Sequence, residues 1–538
     1  MDFLDPSTED ITAINFNDFN EYYRHGYLLF YNSQNQLSCG ITNQDSVGTI
    51  KDILKNFDVD SLKFYRLKET DLVLILEKSF NKLNTDRAIN HLSTKLKHTA
   101  KTANYPKFTL GFITLFIASL IFFSNSFNLL NNVIYLVQNI FKAILFKRSV
   151  EFQHQENFTK KDLDCNYAAK IKSNLDNMPI YTIFVPLYKE VKKLKSIISA
   201  IDNINYPKEK LDVKFIIEGD DQDTIKALQI LSLPRYVHVI KVPFSLPRTK
   251  PKAMNYAMAY VKGEYLCIYD AEDRPDPDQL MKALDAFSQL SEEYACVQAR
   301  LNFYNKTENI LTKFFSIEYS LWFDYLIKGL SLYDLPLTLG GTSNHFKVSV
   351  LKKIGAWDAY NVTEDAELGV RLYLNGYKVH LLDSETLEES PVGLKNWLLQ
   401  RIRWIKGFIQ TIYVFMISPE NHRKLGWSKV FSVYIFIGFS SYSFFCMPWL
   451  ISIFLLDLHK YVYYSWIINT TFSLIYVYST ACYILKRQKV YPADFVILIL
   501  WPLYFVLHSI AAYLAIWEIA SKPFKWNKTE HGVSMSDL

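Results

Sequence analysis

Long apolar segments in this chain of 538 residues lie on both sides of an extended region of ordinary polarity. Two of them, 108–124 and 127–146, come before the polar region, and three more follow it at 430–456, 462–485 and 493–517. Segments of this length fit the roughly 17–25 residues that a membrane-spanning helix needs. The pattern therefore predicts a soluble region inserted between membrane helices.

Short apolar runs alternate with helix-like stretches inside the polar region. Strands are predicted at 181–187, 213–217, 237–242 and 265–269, with helices such as 190–201 and 223–231 between them. This alternation predicts a parallel α/β sheet, and such sheets bind their ligands beyond the carboxyl ends of the strands.

Changes in polarity also divide the chain. Residues 1–100 are charged with short apolar runs, which predicts a small N-terminal α/β module. The other predicted parts are a membrane hairpin at 105–148, a soluble α/β domain at 160–420, two membrane helices at 428–488, an interfacial or third membrane helix at 492–518 and a tail at 519–538. Because 127–146 contains polar residues, one long interfacial helix is the alternative to the second half of the hairpin.

Charge and composition narrow the class of protein. Half of the residues are apolar and the net charge is +5, which fits a membrane-apposed protein and gives no indication of nucleic-acid binding. The pair Lys147-Arg148 after the hairpin predicts that the soluble domain is cytoplasmic. The six cysteines are scattered without a CxxC pair, which predicts neither a disulfide framework nor a zinc site.

Acidic clusters follow two of the predicted strands. Asp270, Glu272 and Asp273 end the run YLCIY. One or two carboxylates at a strand end are sufficient for a hard divalent cation that bridges two phosphates. Taken alone, such a cluster is more often a solvated acidic turn. A second cluster, at residues 218–221, and two lysines, at 250 and 252, strengthen the case for a diphosphate site.

Two helical motifs complete the candidate chemistry. Thr363-Glu364-Asp365 opens a helix-like run, where Thr363 fits an N-cap and Asp365 fits a general base for an acceptor hydroxyl. Gln400, Arg403 and Trp404 stand at i, i+3 and i+4 of the predicted helix 393–415, so they share one face. That face either packs inside the protein or stacks a sugar on the indole and brings the guanidinium to a diphosphate.

In this order the motifs resemble glycosyltransferase family 2, in particular its membrane-embedded processive synthases, the cellulose synthase and cellulose-synthase-like glucomannan synthase group. The resemblance covers about residues 180–410, where DAE falls on the DxD motif, TED is intact and QRIRW matches QxxRW. A tail at 524–532 resembles the gating loop of the synthases. Glu272 stands at the second position of DxD, with Asp273 beside it, so either carboxylate could be the metal ligand.

The resemblance implies a GT-A (Rossmann-like) catalytic domain inserted between transmembrane helices, with Asp365 as the catalytic base. The residues expected to bind the donor nucleotide are Glu218, Asp220, Asp221, Lys252 and Asp270. The ligands expected for Mg²⁺ or Mn²⁺ are Asp270, Glu272 and Asp273. The residues expected at the acceptor and diphosphate are Glu364, Gln400, Arg403 and Trp404, and those of the gating-like tail are Trp526, Lys528 and Thr529.

The expected function is inverting transfer from a nucleotide-sugar of the UDP-glucose or GDP-mannose type to a β-linked polysaccharide, at the inner (plasma) membrane. The acceptor is a glycan or a lipid-linked molecule, and an export partner is not identified. Because a gating loop must face the cytosol, residues 493–517 are expected to lie at the interface or to re-enter. The alternatives are transfer of one sugar to a polyprenyl phosphate, and an inactive binding or scaffold protein. The intact TED and metal carboxylates disfavour the scaffold.

Overall fold

The computed structural model describes residues 2–3, 19–32, 35–43, 50, 62–159, 178–452, 459–488, 497–529, 532 and 534. Its strands are β1 Asp2–Phe3, β2 Tyr27–Tyr31, β3 Leu37–Ile41, β4 Lys63–Arg66, β5 Tyr181–Leu187, β6 Leu211–Glu218, β7 Val237–Val242, β8 Tyr265–Ile268, β9 Arg274–Pro275, β10 Tyr294–Phe303, β11 Asn344–Lys347 and β12 Lys378–Glu388. The strands predicted at 181–187 and 237–242 have these bounds in the structure.

The helices divide between the two ends of the chain and the central region. Those of the first 160 residues are α1 Phe19–His25, α2 Glu69–Lys95, α3 Tyr105–Phe122 and α4 Ser124–Thr159. Those of the central region are α5 Leu194–Asp202, α6 Gln222–Ile230, α7 Lys250–Ala257, α8 Gln279–Gln289, α9 Ile310–Ser320, α10 Lys328–Leu332, α11 Val348–Ile354, α12 Glu364–Leu374, α13 Leu394–Met416 and α14 Pro419–Leu425. The last are α15 Trp427–Val433, α16 Ser440–Ser452, α17 Lys460–Arg487 and α18 Trp501–Ser521. Wider helical turns at Leu321–Ile327 and Tyr434–Phe439 join α9 to α10 and α15 to α16.

The central sheet of the described chain has the order β7-β6-β5-β8-β11-β10-β12-β9. Strands β5 to β8 are parallel, as predicted. The sheet as a whole is mixed, which was not predicted, because β11 runs antiparallel to both β8 and β10. The reason is local: Ser343 N–H donates to Ile268 O at 2.8 Å, so β11 begins at the edge where β8 ends.

Both faces of the parallel half are covered, which explains why its strands read as continuous apolar runs. Ile183 and Val185 of β5 face one core together with α5, whereas Phe184 faces the other core together with α7. Burial on both faces fixes the strands, and their carboxyl ends then carry Glu218 and Asp270 to one edge.

The first hundred residues contain a separate four-stranded sheet in the order β1-β4-β3-β2, covered by α1 and α2. Buried side chains of this module, such as Tyr22 of α1, Tyr27 of β2 and Leu76 of α2, share a core with α7 and one face of the central sheet. Helices α1 and α2 therefore pack directly on α7 and the turn that follows it.

Five helical segments of the described chain are long and apolar enough to cross a membrane: Tyr105–Phe122, Ser124–His154, Trp427–Pro448, Lys460–Arg487 and Ile497–Ser521. The first two are also the least buried, and they expose side chains such as Leu115, Ile121 and Phe122. Large exposed apolar faces of this kind are stable in contact with lipid.

Candidate active site

A cavity of about 450 Å³ opens at the carboxyl edge of the central sheet and continues between α4, α16, α17 and α18. Most of the site residues expected from the sequence line it: Glu218, Asp270, Glu272, Glu364, Asp365, Gln400, Arg403, Trp404, Trp526, Lys528 and Thr529. Four of the expected residues, Asp220, Asp221, Lys252 and Asp273, are not among the lining residues.

Two lysines of α7 bind carboxylates at the ends of neighbouring strands. Lys252 Nζ donates to Glu218 Oε2 at 2.9 Å, and the lysine side chain is fully buried. Lys250 Nζ donates to Asp270 Oδ1 at 2.5 Å and to Gly341 O at 2.8 Å. Burial alone would lower the pKa of Lys250, but the Asp270 carboxylate raises it overall, so this ammonium stays charged inside the cavity.

The other two acidic residues of the first cluster have local partners. Asp221 caps α6, because its carboxylate accepts from Thr224 N–H at 3.3 Å, and it also accepts from Lys189 N–H at 2.5 Å. Asp220 forms an ion pair with Arg248, whose guanidinium lies 5.0 Å from the centre of the Tyr188 ring. Both carboxylates thus hold the loop after β6 in place, but they do not line the cavity.

The carboxylates after β8 have different environments. Asp273 is buried and accepts from Asp270 N–H at 2.7 Å and from the Thr342 hydroxyl, which stabilises the turn. Asp270 and Glu272 face the cavity. Burial, together with the charge of Asp270, raises the pKa of Glu272 to about 8. Of the three residues expected from the sequence to bind a metal, Asp270 and Glu272 therefore face the cavity and Asp273 does not.

Glu388 is a cavity residue that the sequence analysis missed. It is the last residue of β12, and burial together with the Asp273 and Glu272 carboxylates raises its pKa. The signal that would have found it is the same one that found Asp270, a carboxylate at the end of a strand. The strand β12 itself was not predicted.

Asp365 stands in the first turn of α12 with its carboxylate at the cavity wall. Its Oδ1 accepts from Ala366 N–H at 2.7 Å, and a β-carbon at Gly341 would lie 3.4 Å from its Oδ2. Burial raises the pKa of Asp365, while the charges of Lys250 and Arg403 oppose the increase. Thr363 occupies the N-cap position, as expected, although its side chain makes no capping hydrogen bond.

Helix α13 brings Gln400, Arg403 and Trp404 to the opposite wall of the cavity. Trp404 stacks against the rings of Phe315 and Tyr319, each with its centre at 5.9 Å. The Nε atom of Arg403 and the Oε1 atom of Gln400 are buried without a hydrogen-bond partner. Since buried polar groups are nearly always bonded, these two atoms mark places where a polar ligand fits.

Arg401, between those residues, also lines the cavity, lies 4.6 Å from the centre of the Trp404 ring and joins α13 to α9. Its guanidinium makes two hydrogen bonds of 2.6 Å to the Glu318 carboxylate. Burial alone would raise the pKa of Glu318, but Arg401 lowers it to about 2, so the pair stays ionised. This bidentate contact was not predicted, because a partner 83 residues away leaves no local pattern.

The tail after α18 contributes Trp526, Lys528 and Thr529 to the wall of the cavity. The Arg403 guanidinium lies 4.6 Å from the centre of the Trp526 ring, and Lys528 Nζ binds Glu190 at 2.8 Å. The base of the tail is fixed by the buried Lys406, whose Nζ donates to Glu518 at 2.8 Å and to Lys525 O at 2.8 Å. The tail residues therefore lie against both α13 and the loop that follows β5.

Comparison with known proteins relates the chain to glycosyltransferases. Residues 265–514 match the family model described as glycosyl transferase family group 2. The chain is 25% identical over 252 residues to the probable glycosyltransferase YdaM of Bacillus subtilis, covering 46% of this chain and 59% of YdaM. It is 24% identical over 439 residues to the probable glucomannan 4-beta-mannosyltransferase 15 of Arabidopsis thaliana, covering 79% of this chain and 77% of that protein.

A solved structure was also matched. The mannosyltransferase PcManGT from Pyrobaculum calidifontis, in complex with GDP-Man and Mn²⁺, aligns over 72% of this chain and 99% of its own, with 16% identity and a TM-score of 0.41.

The relatives found by sequence and the family match identify a glycosyltransferase. Residues 265–514 match glycosyl transferase family group 2, and β8 to β12 of the mixed central sheet lie within or at the start of this range.

Proposed function

We propose that this protein is a membrane-bound, inverting glycosyltransferase that extends a β-linked polysaccharide from a nucleotide-sugar. The observation that carries the proposal is the single cavity in which Asp365, the strand-end carboxylates and α13 meet the membrane helices. Such a cavity lets a donor enter from the sheet edge while an acceptor lies between the helices. The named activity of the Arabidopsis relative supports a mannose or glucose donor.

The residues of the cavity suggest roles in one displacement step. Asp365, held by Ala366 N–H, would remove the proton of the acceptor hydroxyl as that oxygen attacks the anomeric carbon from the face opposite the diphosphate. The leaving group would depart towards Lys250 and Arg403, whose charges oppose the developing negative charge. One direct displacement inverts the anomeric configuration, which gives a β-linkage from an α-linked donor.

A divalent cation, Mg²⁺ or Mn²⁺, belongs to the proposal. Asp270 and Glu272 would hold it, and when bound it would neutralise charge on the diphosphate. Within the described residues no group of three or more His, Cys, Asp or Glu side chains is arranged to hold a metal. Two carboxylates fit a cation that takes its remaining oxygens from water and from the donor phosphates.

The membrane half of the cavity supports a glycan acceptor. Tyr476 Oη and Trp501 Nε1, both from lining residues, are buried without hydrogen-bond partners, as Gln400 Oε1 and Arg403 Nε are. These four polar atoms without partners belong to residues that line the same cavity, and they fit a ligand with many hydroxyl groups. Lys142 also lines this half of the cavity. Because its ammonium group fits a phosphate, this lysine favours the second candidate function, transfer of one sugar to a lipid phosphate.

Contacts at both ends of α18 support the proposal that this helix does not cross the membrane. Near its start, Tyr504 Oη accepts from Trp397 Nε1 at 3.2 Å, and near its end, Glu518 binds Lys406. Trp397 and Lys406 both belong to α13, so α18 runs beside α13 in the same direction. The proposed topology keeps the tail in the cytosol with the catalytic domain, and a reporter fused after residue 520 would be cytosolic.

Incubation of membranes with a panel of labelled UDP- and GDP-sugars tests the function. The expected result is incorporation from one donor into a β-linked product of many residues, with release of the nucleoside diphosphate. A product with a single added sugar on a lipid would favour the second candidate. Absence of transfer from every donor by the folded protein would contradict the proposal.

A further inference from the structure

We propose that the N-terminal sheet and its helices α1 and α2 act as a clamp on α7 and thereby set the affinity for the nucleotide-sugar. The inference rests on the proposed function and gives the first hundred residues a part in it. The structural basis is that α7 carries the donor-site lysines at one end and is held by the N-terminal module at the other.

The lysine end of α7 belongs to the donor site. Thr249 caps the helix by accepting from Lys252 N–H at 3.4 Å, and its hydroxyl donates to Ala359 O at 2.7 Å. Lys250 and Lys252 then reach Asp270 and Glu218, respectively. A small shift of this helix end would move the Lys250 ammonium group in the cavity and the Lys252 ammonium group that holds Glu218.

The other end of α7 is bonded to the N-terminal module. Asn20 of α1 donates through Nδ2 to Ala259 O and to Val261 O, each at 2.9 Å, just after the helix. Tyr260 Oη donates to Glu77 of α2 at 3.0 Å. The helix that begins in the donor site therefore ends in a set of hydrogen bonds made by another part of the chain.

Further contacts from α2 hold the middle of α7. Asn255 Nδ2 donates to Ala88 O at 3.1 Å, and Tyr256 Oη donates to Asn81 Oδ1 at 3.3 Å. Asn255 also makes two hydrogen bonds with the backbone of Trp357. Its Nδ2 donates to Trp357 O, and its Oδ1 accepts from Trp357 N–H. These contacts join α7 to α2 and to the chain that leads into the TED motif.

Aromatic packing makes this contact continuous. The ring of Phe19 lies 4.5 Å from the ring of Tyr260, and the ring of Tyr23 lies 5.6 Å from it, measured between centres. Met254 and Ala257 of α7 are buried in the same core. The N-terminal module is thus part of the interior that determines where α7 lies.

A helix of this length depends on such support. Helices shorter than about 12–15 residues are marginal by themselves, so the position of the eight-residue α7 comes from its packing. At 1.5 Å per residue it extends only about 12 Å, which places the clamp one short rigid element away from the diphosphate. Loosening the clamp should weaken donor binding and leave the acceptor wall on α13 unchanged.

Asn20→Asp in the full-length protein tests the clamp, with Tyr260→Phe as a milder second variant. Asn20→Asp places a carboxylate oxygen against two carbonyl oxygens, and Tyr260→Phe removes the hydroxyl that binds Glu77. Glu69→Gln is the matched control, because it weakens a half-exposed ion pair with Lys262 in the same interface without touching α7. Donor KM, acceptor KM, kcat, the Kd of the nucleoside diphosphate and Tm would be measured for each protein.

We expect donor KM and the diphosphate Kd to rise about fivefold to tenfold in Asn20→Asp, and less in Tyr260→Phe. Acceptor KM should stay within about twofold, and Glu69→Gln should resemble the wild type. A lower Tm with unchanged donor KM and Kd in both variants would overturn the clamp, because it would show a purely structural role. A folded wild type that transfers no sugar would instead overturn the proposed function, and the clamp with it.

Discussion

Gly407 and Thr363 are in such close contact that a β-carbon at Gly407 would lie 2.1 Å from Thr363 Oγ1 and 2.5 Å from Thr363 Cγ2. Gly407 is on the helix that carries the QxxRW residues, and Thr363 begins the TED motif. Because Gly407 has no side chain, α13 can lie close to the TED motif. This contact sets the distance between α13 and the proposed base, Asp365.

Gly407→Ala should separate these two walls. The new methyl group cannot fit at 2.1 Å from the Thr363 hydroxyl, so the Thr363 side chain, the start of α12 or α13 must move, on the order of an ångström. A displacement of that size at a reacting centre reduces kcat by about 100-fold. Gly393→Ala, where no atom lies within 4 Å of the added β-carbon, is the matched control and should retain wild-type kcat. Equal kcat values for the two variants would show that the contact has no effect on the reaction.

The pH dependence of transfer should depend on Arg403. Asp365 must be ionised to accept a proton, and its pKa is raised by burial and held back by Lys250 and Arg403. Activity should therefore fall as the pH falls through this raised pKa. Arg403→Gln removes one of the two charges, raises the pKa of Asp365 further and should move the acid limb of the kcat profile to higher pH. Arg403→Lys keeps the charge and should leave the limb in place, so identical shifts in both variants would argue against Asp365 as the titrating group.

Lys406→Met should release the base of the tail. The Lys406–Glu518 pair is buried on the lysine side and joins α13 to α18, and removing one partner of a buried pair costs about 3–5 kcal/mol. The tail would then cover the donor less often, and donor KM should rise about tenfold. Lys525→Met removes an exposed lysine that is 3.7 Å from the same carboxylate, and it should change donor KM by less than about twofold. A donor KM unaffected by Lys406→Met would mean that the tail is positioned by other contacts.

Arg401→Met tests whether the neighbour of Arg403 is structural. The variant leaves the mostly buried Glu318 carboxylate without its bidentate partner and with the Tyr504 hydroxyl and His508 beside it, so we expect the free energy of unfolding to fall by about 3 kcal/mol. Because the pKa of Glu318 is lowered to about 2, the wild-type pair stabilises the protein above the ordinary range of a carboxyl group and loses this effect as the pH falls towards 2. Thermal unfolding of both proteins in detergent between neutral and acidic pH measures the difference, which should shrink on the acid side. A constant difference would contradict the assignment.

The sequence was sufficient for the parts of the fold that depend on local pattern. The apolar run 181–187 is the buried strand β5, and the run 265–269 contains β8, because strands covered on both faces need continuous apolar residues. The antiparallel strand β11 was not predicted, since its direction follows from where the chain enters the sheet and not from its own four residues.

The same limit applies to the candidate site. Residues in ordered motifs, such as Asp365 and Arg403, were found and line one cavity. Asp221 and Asp273 were predicted to bind ligands, but they hold a helix cap and a turn. A carboxylate at a strand end can face either way, and only the hydrogen-bond donors around it decide which.

The most direct test of the central claim is transfer by Asp365→Asn compared with the wild type, using the nucleotide-sugar that the wild type accepts. The amide is similar in size to the carboxylate and cannot take the proton of the acceptor hydroxyl. The proposed mechanism predicts that kcat falls by about 10²–10⁴, while the Kd of the nucleoside diphosphate stays within about twofold of the wild type. Full transfer activity in purified, folded Asp365→Asn would contradict it.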